Sequence, residues 1–423
     1  MKVTVFLIGS IYIALSFLSC SSIGKSQQNY AFLYKSSGQM VDPDYIIYHD
    51  ELDSSKVFFK MESDKILYTR KSKADYFSGK IVFHFEILKD ISSKEILDSG
   101  SFFIHDRVEE VEDKVIYGDF SFKAEIGDIG LMKIFCADQN RNSIVEKHVN
   151  FNKSSLVNKQ FFILRNENKK PIFCNYIDSN EVLNLESNLN RGKTLFLRNY
   201  SRTFPISPPP FTSSSNKSFD YSPESRSELS LDEFGRCELS LPSSGFSHIQ
   251  LDTTTKNGVS LFVFNPYFPE VKSVQQMIPP VRYICSRSEY NKLISSDFEK
   301  SAIDYFWRDK TGSKDRAREI IRKYYGRVEN SNEHFTSYIE GWKTDRGMIS
   351  MIYGPPSIVS KLNNREIWVY GDENNINSLS FVFTKMNNPF TDNDYKLERS
   401  PMYKSSWYKA VDAWRSGRAY WIQ

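Results

Sequence analysis

Apolar and polar residues alternate with a period of two along most of residues 43–275, and the period then lengthens toward 3.6. The first alternating runs are Val57–Met61, Ile66–Thr69, Ile81–Leu88, Ser101–His105, Val115–Ile126, Leu131–Ala137 and Ile144–Phe151, separated by clusters of Asp, Ser, Gly and Lys. Successive side chains of a strand point to opposite faces, so short half-buried runs at this spacing predict a β-sandwich over 43–152, with a turn at Asp128-Ile129-Gly130. A second set predicts another sandwich over 153–275: Phe161–Arg165, Pro171–Tyr176, Thr194–Asn199, Cys237–Leu241, His248–Leu251 and Val259–Phe264. Inside it, Phe204–Phe211 carries three consecutive prolines and is followed by a Ser-rich stretch to Ser230. This stretch is too polar and proline-rich to pair into a sheet, and reads as a long surface loop, with a polyproline segment offered to a groove as the alternative.

Beyond residue 280 the helical period takes over. Ser288–Phe306 predicts a helix with Tyr290, Leu293, Ile294, Ile303 and Phe306 on one face. A second helix starts at Ser313, its N-cap, and lines up Ala317, Ile320, Ile321, Tyr324 and Val328. Met348–Tyr353 then stops at Gly354-Pro355-Pro356, and Glu366–Tyr370 and Leu379–Lys385 predict two antiparallel strands around the polar turn Asp372–Asn377. The fold class expected is multidomain and mainly β: two Ig-like sandwiches followed by an α+β domain over 280–423.

The N-terminus has a separate logic. Lys2, an apolar run from Val3 to Leu18, and Ser19-Cys20-Ser21-Ser22 have the form of a bacterial lipoprotein signal, removed to leave an acylated Cys20. Gly9, Ser10 and Ser16 interrupt the run, which falls short of the ~20 apolar residues a membrane span needs. Residues 20–42 then read as a polar tether between the lipid and a water-soluble body. Ser21 after the cysteine, and the lack of an acidic run in Ser21–Lys25, point by analogy to the outer membrane, facing the periplasm.

Composition mostly removes options. The formal net charge is +3 and basic and acidic residues alternate without blocks, which excludes a phosphate-tracking stripe and hence nucleic acid as a partner. Cys136, Cys174, Cys237 and Cys285 lie dozens of residues apart, Cys136 and Cys174 at apolar strand positions, and read as free thiols, not as metal or redox sites. The six histidines are scattered, with no HExxH spacing. Gly245-Phe246-Ser247-His248 lacks the final glycine of a nucleophile elbow, and Asp42-Pro43-Asp44 and Asp392-Asn393-Asp394 complete no calcium loop. No cofactor, metal or catalytic set is expected. Asp252-Thr253-Thr254 resembles the short O-glycosylation sequon described for Bacteroidota, with Thr253 as acceptor.

The most specific string is Gly341-Trp342-Lys343-Thr344-Asp345-Arg346-Gly347. Gly341 can release the backbone from helical geometry, Trp342 is a large wedge, and Thr344 can cap a new segment whose first turn carries Asp345. This describes a structural corner. The alternative makes Asp345 an acid and Arg346 an anion clamp, yet no histidine, second carboxylate or nucleophile stands near them in sequence. The string matches the signature of the GWxTD domain family, found widely in Bacteroidota envelopes. Asp304–Trp307, Tyr324–Val328, Tyr353–Pro356, Glu366–Gly371 (with Trp368), Phe381–Phe383 and Trp407–Gly417 also resemble that family in order. The resemblance implies that Gly341, Trp342, Thr344, Asp345, Arg346, Gly347, Gly354, Pro355, Pro356 and Trp368 form its structural or docking motif. The expected function is that of a non-enzymatic, outer-membrane-anchored periplasmic lipoprotein, a docking or scaffold component of an envelope assembly or secretion system that meets the membrane through its lipid and other envelope proteins through its surface. Two alternatives are a peptidoglycan- or glycan-processing or -binding protein and a structural spacer.

Overall fold

Seven strands, β1 (Asp44–Tyr48), β2 (Ser54–Glu62), β3 (Phe77–Leu88), β4 (Ile96–Val108), β5 (Val115–Lys123), β6 (Ile129–Asp138) and β7 (Ser143–Asn152), build the first body. β2 shows why: Val57, Phe59 and Met61 turn inward while Lys56, Phe58 and Lys60 face out. The computed structural model describes residues 29–34, 40–73, 75–90, 93, 95–178, 181–213, 219–362, 364–372 and 378–420. Among these residues the strands form two antiparallel sheets, β1-β2-β5 and β4-β3-β6-β7, closing on one core. Phe59, Phe83, Phe102 and Phe120 run through that core with neighbouring ring centroids 4.8–5.1 Å apart. Fully buried Lys153 closes one end, its Nζ donating to Ser54 O at 2.6 Å and Ala124 O at 2.8 Å. Without those carbonyls the buried ammonium would be stranded.

The second body packs β8 (Ile163–Arg165), β10 (Leu183–Glu186) and β13 (Arg236–Leu239) against a five-stranded sheet. That sheet runs β12 (Ser225–Ser230), β11 (Thr194–Tyr200), β14 (Gly245–Gln250), β15 (Val259–Val263) and β9 (Tyr176–Ile177), with the β15–β9 pair parallel. Its core is leucine-rich, including Leu183, Leu185, Leu195, Leu197 and Leu261. Asn188 N donates to Tyr48 Oη at 2.9 Å and His49 N to Gln160 O at 2.8 Å, joining the two bodies.

The C-terminal body carries α1 (Val274–Met277), α2 (Arg287–Ile294), α3 (Glu299–Thr311), α4 (Lys314–Phe335), α5 (Asp345–Tyr353) and α6 (Tyr403–Arg415) around an antiparallel sheet. The sheet is a meander: β16 (Ile358–Leu362), β17 (Arg365–Tyr370), β18 (Leu379–Lys385) and β19 (Tyr395–Leu397). Trp307, Trp368 and Trp414 are fully buried in its core. The molecule is thus mainly β, with several antiparallel sheets and a C-terminal helical region.

Several local expectations change. Ile66–Thr69 is not a strand: Ser63 Oγ donates to Glu112 O and accepts from Lys114 N, holding a 3-10 turn at Ser63–Lys65, and only Thr69 makes an isolated bridge. The Ser-rich stretch does pair, because β12 is an edge strand whose outer side faces solvent and needs no apolar residues. Ser288–Phe306 is two helices. Ser295 ends α2 and Phe298, with non-helical backbone angles, precedes α3, so the polar Ser-Ser-Asp run breaks what periodicity alone joined. Cys20 and the apolar run before it lie outside the described residues. Within the stretch read as a tether, Tyr30–Tyr34 forms one 3-10 turn, and Tyr30, Ala31 and Tyr34 are buried in the C-terminal core. Cys136, Cys174, Cys237 and Cys285 are free thiols, Cys136 buried and the others partly so.

Candidate functional site

The C-terminal half of the signature string starts a helix. Thr344 is the N-cap of α5: its Oγ1 accepts from Gly347 N at 3.0 Å and donates to Gly341 O at 2.8 Å. Ahead of it Gly341–Lys343 makes one 3-10 turn, its entry held by Thr336 Oγ1 and Asn332 Oδ1, which accept from Gly341 N and Trp342 N. The two glycines are there for contact. A Cβ on Gly341 would stand 1.8 Å from Ser331 O on α4, and one on Gly347 would stand 1.9 Å from Gly341 O. Trp342 is buried edge-on to Tyr283, and α5 ends at Gly354, whose φ of +88° and close approach to the Arg327 guanidinium both require glycine. Half-buried Pro355 and buried Pro356 then lead the chain into β16.

Asp345 and Arg346 engage different distant segments. The Asp345 carboxylate accepts from Leu397 N at 2.8 Å and from both terminal nitrogens of Arg399, one of them at 3.1 Å. Arg399 Nη2 also donates to Pro208 O, and Ser207 N donates to Lys343 O, so the proline-rich arm lies on this corner. Arg346 lies 3.3 Å from both Glu366 oxygens, donates to Asn393, and stacks over Tyr395 at 4.0 Å. Glu366 further accepts from Trp368 Nε1 at 3.1 Å and from Tyr34 Oη at 3.0 Å. Arg346 and Glu366 are each 3% exposed, so their Coulomb attraction acts in a poorly screened interior. Burial pushes the Glu366 carboxyl up, but the charges of Arg346 and Lys361 and the donors Trp368 and Tyr34 outweigh it, and the net shift is downward. Arg399 and Tyr34 carry no signal in the sequence, and nothing there pairs Glu366 or Asn393 with Arg346. Glu366 itself left a signal, a carboxylate on the same strand face as Trp368 and Tyr370.

A sequence model of the GWxTD domain family matches residues 245–416. The chain contains a GWxTD domain. The match begins at Gly245, so the family unit includes β14 and β15 of the second body, upstream of the expected start at 280. No curated protein matches the chain. Among solved structures, a calcium-binding mutant of Bacteroides uniformis beta-glucuronidase 2 aligns at 11% identity and a TM-score of 0.19, over 39% of this chain and 17% of its own. The same enzyme covalently bound to cyclophellitol-6-carboxylate aziridine aligns at 11% identity and 0.18, over 39% and 16%. The chain therefore spans about a sixth of the length of these structures.

Other candidates resolve into structural pairs. Ser247 Oγ donates to Asn199 Oδ1 and not to His248, whose Nδ1 meets Ser260 Oγ; burial pulls the His248 pKa down to about 4. Asp42 pairs with Lys147, Asp44 with Lys60, Asp392 with Lys159, and Asp394 accepts from Asn388. Among the described residues no three His, Cys, Asp or Glu gather as a metal set, and no helix is long and apolar enough to cross a membrane. Thr253 is exposed in the loop between β14 and β15.

Asp345→Asn is expected to free the arm and leave the corner's cap intact. A buried charge-assisted pair contributes ~1.5–3 kcal/mol, so opening of residues 201–213 should rise about tenfold or more. Limited proteolysis with site mapping reads this directly; unchanged cleavage in the arm would contradict the latch.

Proposed function

We propose that this GWxTD domain-containing chain is a non-enzymatic lipoprotein, acylated at Cys20, held at the periplasmic face of an outer membrane, and acting as a docking component of an envelope assembly. The observation that carries it is an exposed aromatic face. Phe298, just before α3, is 76% exposed and Tyr305, on α3, is 69% exposed, with Ile294 58% exposed at the end of α2. Such groups are depleted on surfaces that meet only water and enriched where proteins meet. The full engagement of the Asp345 carboxylate by Arg399 and Leu397 favours the structural corner over an acid catalyst. In this reading the first two bodies are Ig-like spacers, supported by the strand order β1-β2-β5 against β4-β3-β6-β7. Exposed Thr253 remains the O-glycosylation candidate. A photo-crosslinking residue at position 298 in native membranes should capture one defined envelope protein, and Phe298→Asp with Tyr305→Asp should abolish its co-purification. A chain that crosslinks to nothing and stays monomeric in mild detergent overturns the reading.

A further inference from the structure

Asn29–Tyr34 occupies a cleft built for it on the GWxTD domain. Asn29 takes the open edge of β16: its Nδ2 donates to Ser357 O at 3.0 Å and its Oδ1 accepts from Val359 N at 2.9 Å. The same Oδ1 accepts from Ala31 N, which sets the turn that follows. Tyr34 then inserts between Phe335 and Trp368, with centroids at 5.0 and 5.3 Å, and its hydroxyl reaches Glu366 at the floor. Lys361 Nζ covers both Tyr30 and Tyr34 at 5.6 and 5.4 Å. A loose tether would not have both its tyrosines 6% exposed and Tyr34 hydrogen-bonded to the carboxylate that pairs with the family motif's Arg346.

We propose that residues 29–34 are a strap that holds the β16 edge of the GWxTD domain next to the bilayer. The orientation rests on the reading of Cys20 as the acylated residue; the strap does not. Chain length sets how near. Nine residue-to-residue steps lead from Cys20 to Asn29, a reach of about 30 Å, against ~80 Å for the 24 steps to Asp44 at the start of β1. With the strap seated, the shorter limit governs, and the edge of β16 with the adjoining hairpin at exposed Asn364 is confined near the lipid headgroups. Released, that edge is held only by the longer path through the first body.

The test uses the full acylated chain in phospholipid vesicles, with a fluorescent residue at Asn364 and acceptor-labelled headgroups. Transfer should be strong in the wild-type chain, reduced in Asn29→Ala and lost in Tyr30→Ala with Tyr34→Ala. Circular dichroism of each variant guards against simple unfolding, and Asn29→Ala, which removes only polar contacts at the edge, serves if the double variant fails to fold. In parallel, hydrogen exchange on the chain without its lipid should show Ala31 and Val359 amides protected in wild type and exposed in Asn29→Ala. Equal transfer in wild type and both variants overturns the orientation, and unprotected amides overturn the strap itself. An N-terminus without acyl mass sinks the acylation reading and the orientation together, and the exchange data then decide the strap alone.

Discussion

Gly341→Ala is expected to unfold the GWxTD domain, with a loss of ~4 kcal/mol or more. The added carbon would stand 1.8 Å from Ser331 O and 2.7 Å from Asn332 Cα, both backbone atoms of α4, so no side chain can swing away to make room. Either α4 or the corner must move. Both are held by Asn332, whose Oδ1 and Nδ2 bond to Trp342 N and Pro269 O. Gly326→Ala is the matched control: it lies exposed in the same helix with nothing within 4 Å of the new carbon. There alanine should stabilise by ~1 kcal/mol, through helix propensity alone. Urea unfolding followed by tryptophan fluorescence should therefore rank Gly326→Ala above wild type and Gly341→Ala far below both. A Gly341→Ala midpoint close to wild type would refute the backbone approach on which the corner depends.

Glu366→Gln should be nearly as damaging, at ~3–5 kcal/mol, because removing one partner of a buried pair strands the other. Glutamine keeps the shape and can still accept from Trp368 and Tyr34, so the loss isolates the charge opposite Arg346. Lys361, 3.6 Å from Glu366 with its side chain 36% exposed, is partly screened by solvent and contributes less than Arg346. Replacing both partners with apolar residues, Arg346→Met with Glu366→Leu, should recover much of the loss. The charge also has a pH signature. Because the folded carboxyl is held below its unfolded value of about 4.3, its contribution is complete above about pH 5 and is lost as pH falls through the folded value. Acid should thus destabilise the wild-type chain more steeply than Glu366→Gln, and the gap between them should close on the acid side. A gap constant from pH 7 to pH 3 would show that charge is not what Glu366 contributes.

Much of the first sandwich was readable because each strand has one wet and one dry face, and that contrast is written residue by residue, as in Lys56-Val57-Phe58-Phe59-Lys60-Met61. Strands without the contrast escaped. β12 is polar but for Leu229 because it lies at an edge, and β10 is only four residues long. The helix α4 was readable for the same reason as the sandwich, with Ser313 capping it and Ala317, Ile320, Tyr324 and Val328 buried on one face. The Gly-Trp corner was legible because glycine and a capping threonine have local causes. Its partners were not: Asp345 meets Arg399 across 54 residues, Arg346 meets Glu366 across 20, and Tyr34 meets Glu366 across 332. Local composition carries no trace of such pairings.

By itself, the sequence determined the alternating strands, the capped helices, the corner at Gly341–Gly347 and the presence of a GWxTD domain, since each follows from neighbours along the chain. Only the tertiary structure decided that the proline-rich arm and residues 29–34 reach that corner's two charged residues through Arg399 and Glu366. A carboxylate or guanidinium can be satisfied by any segment that reaches it, and which one does is settled by packing in three dimensions.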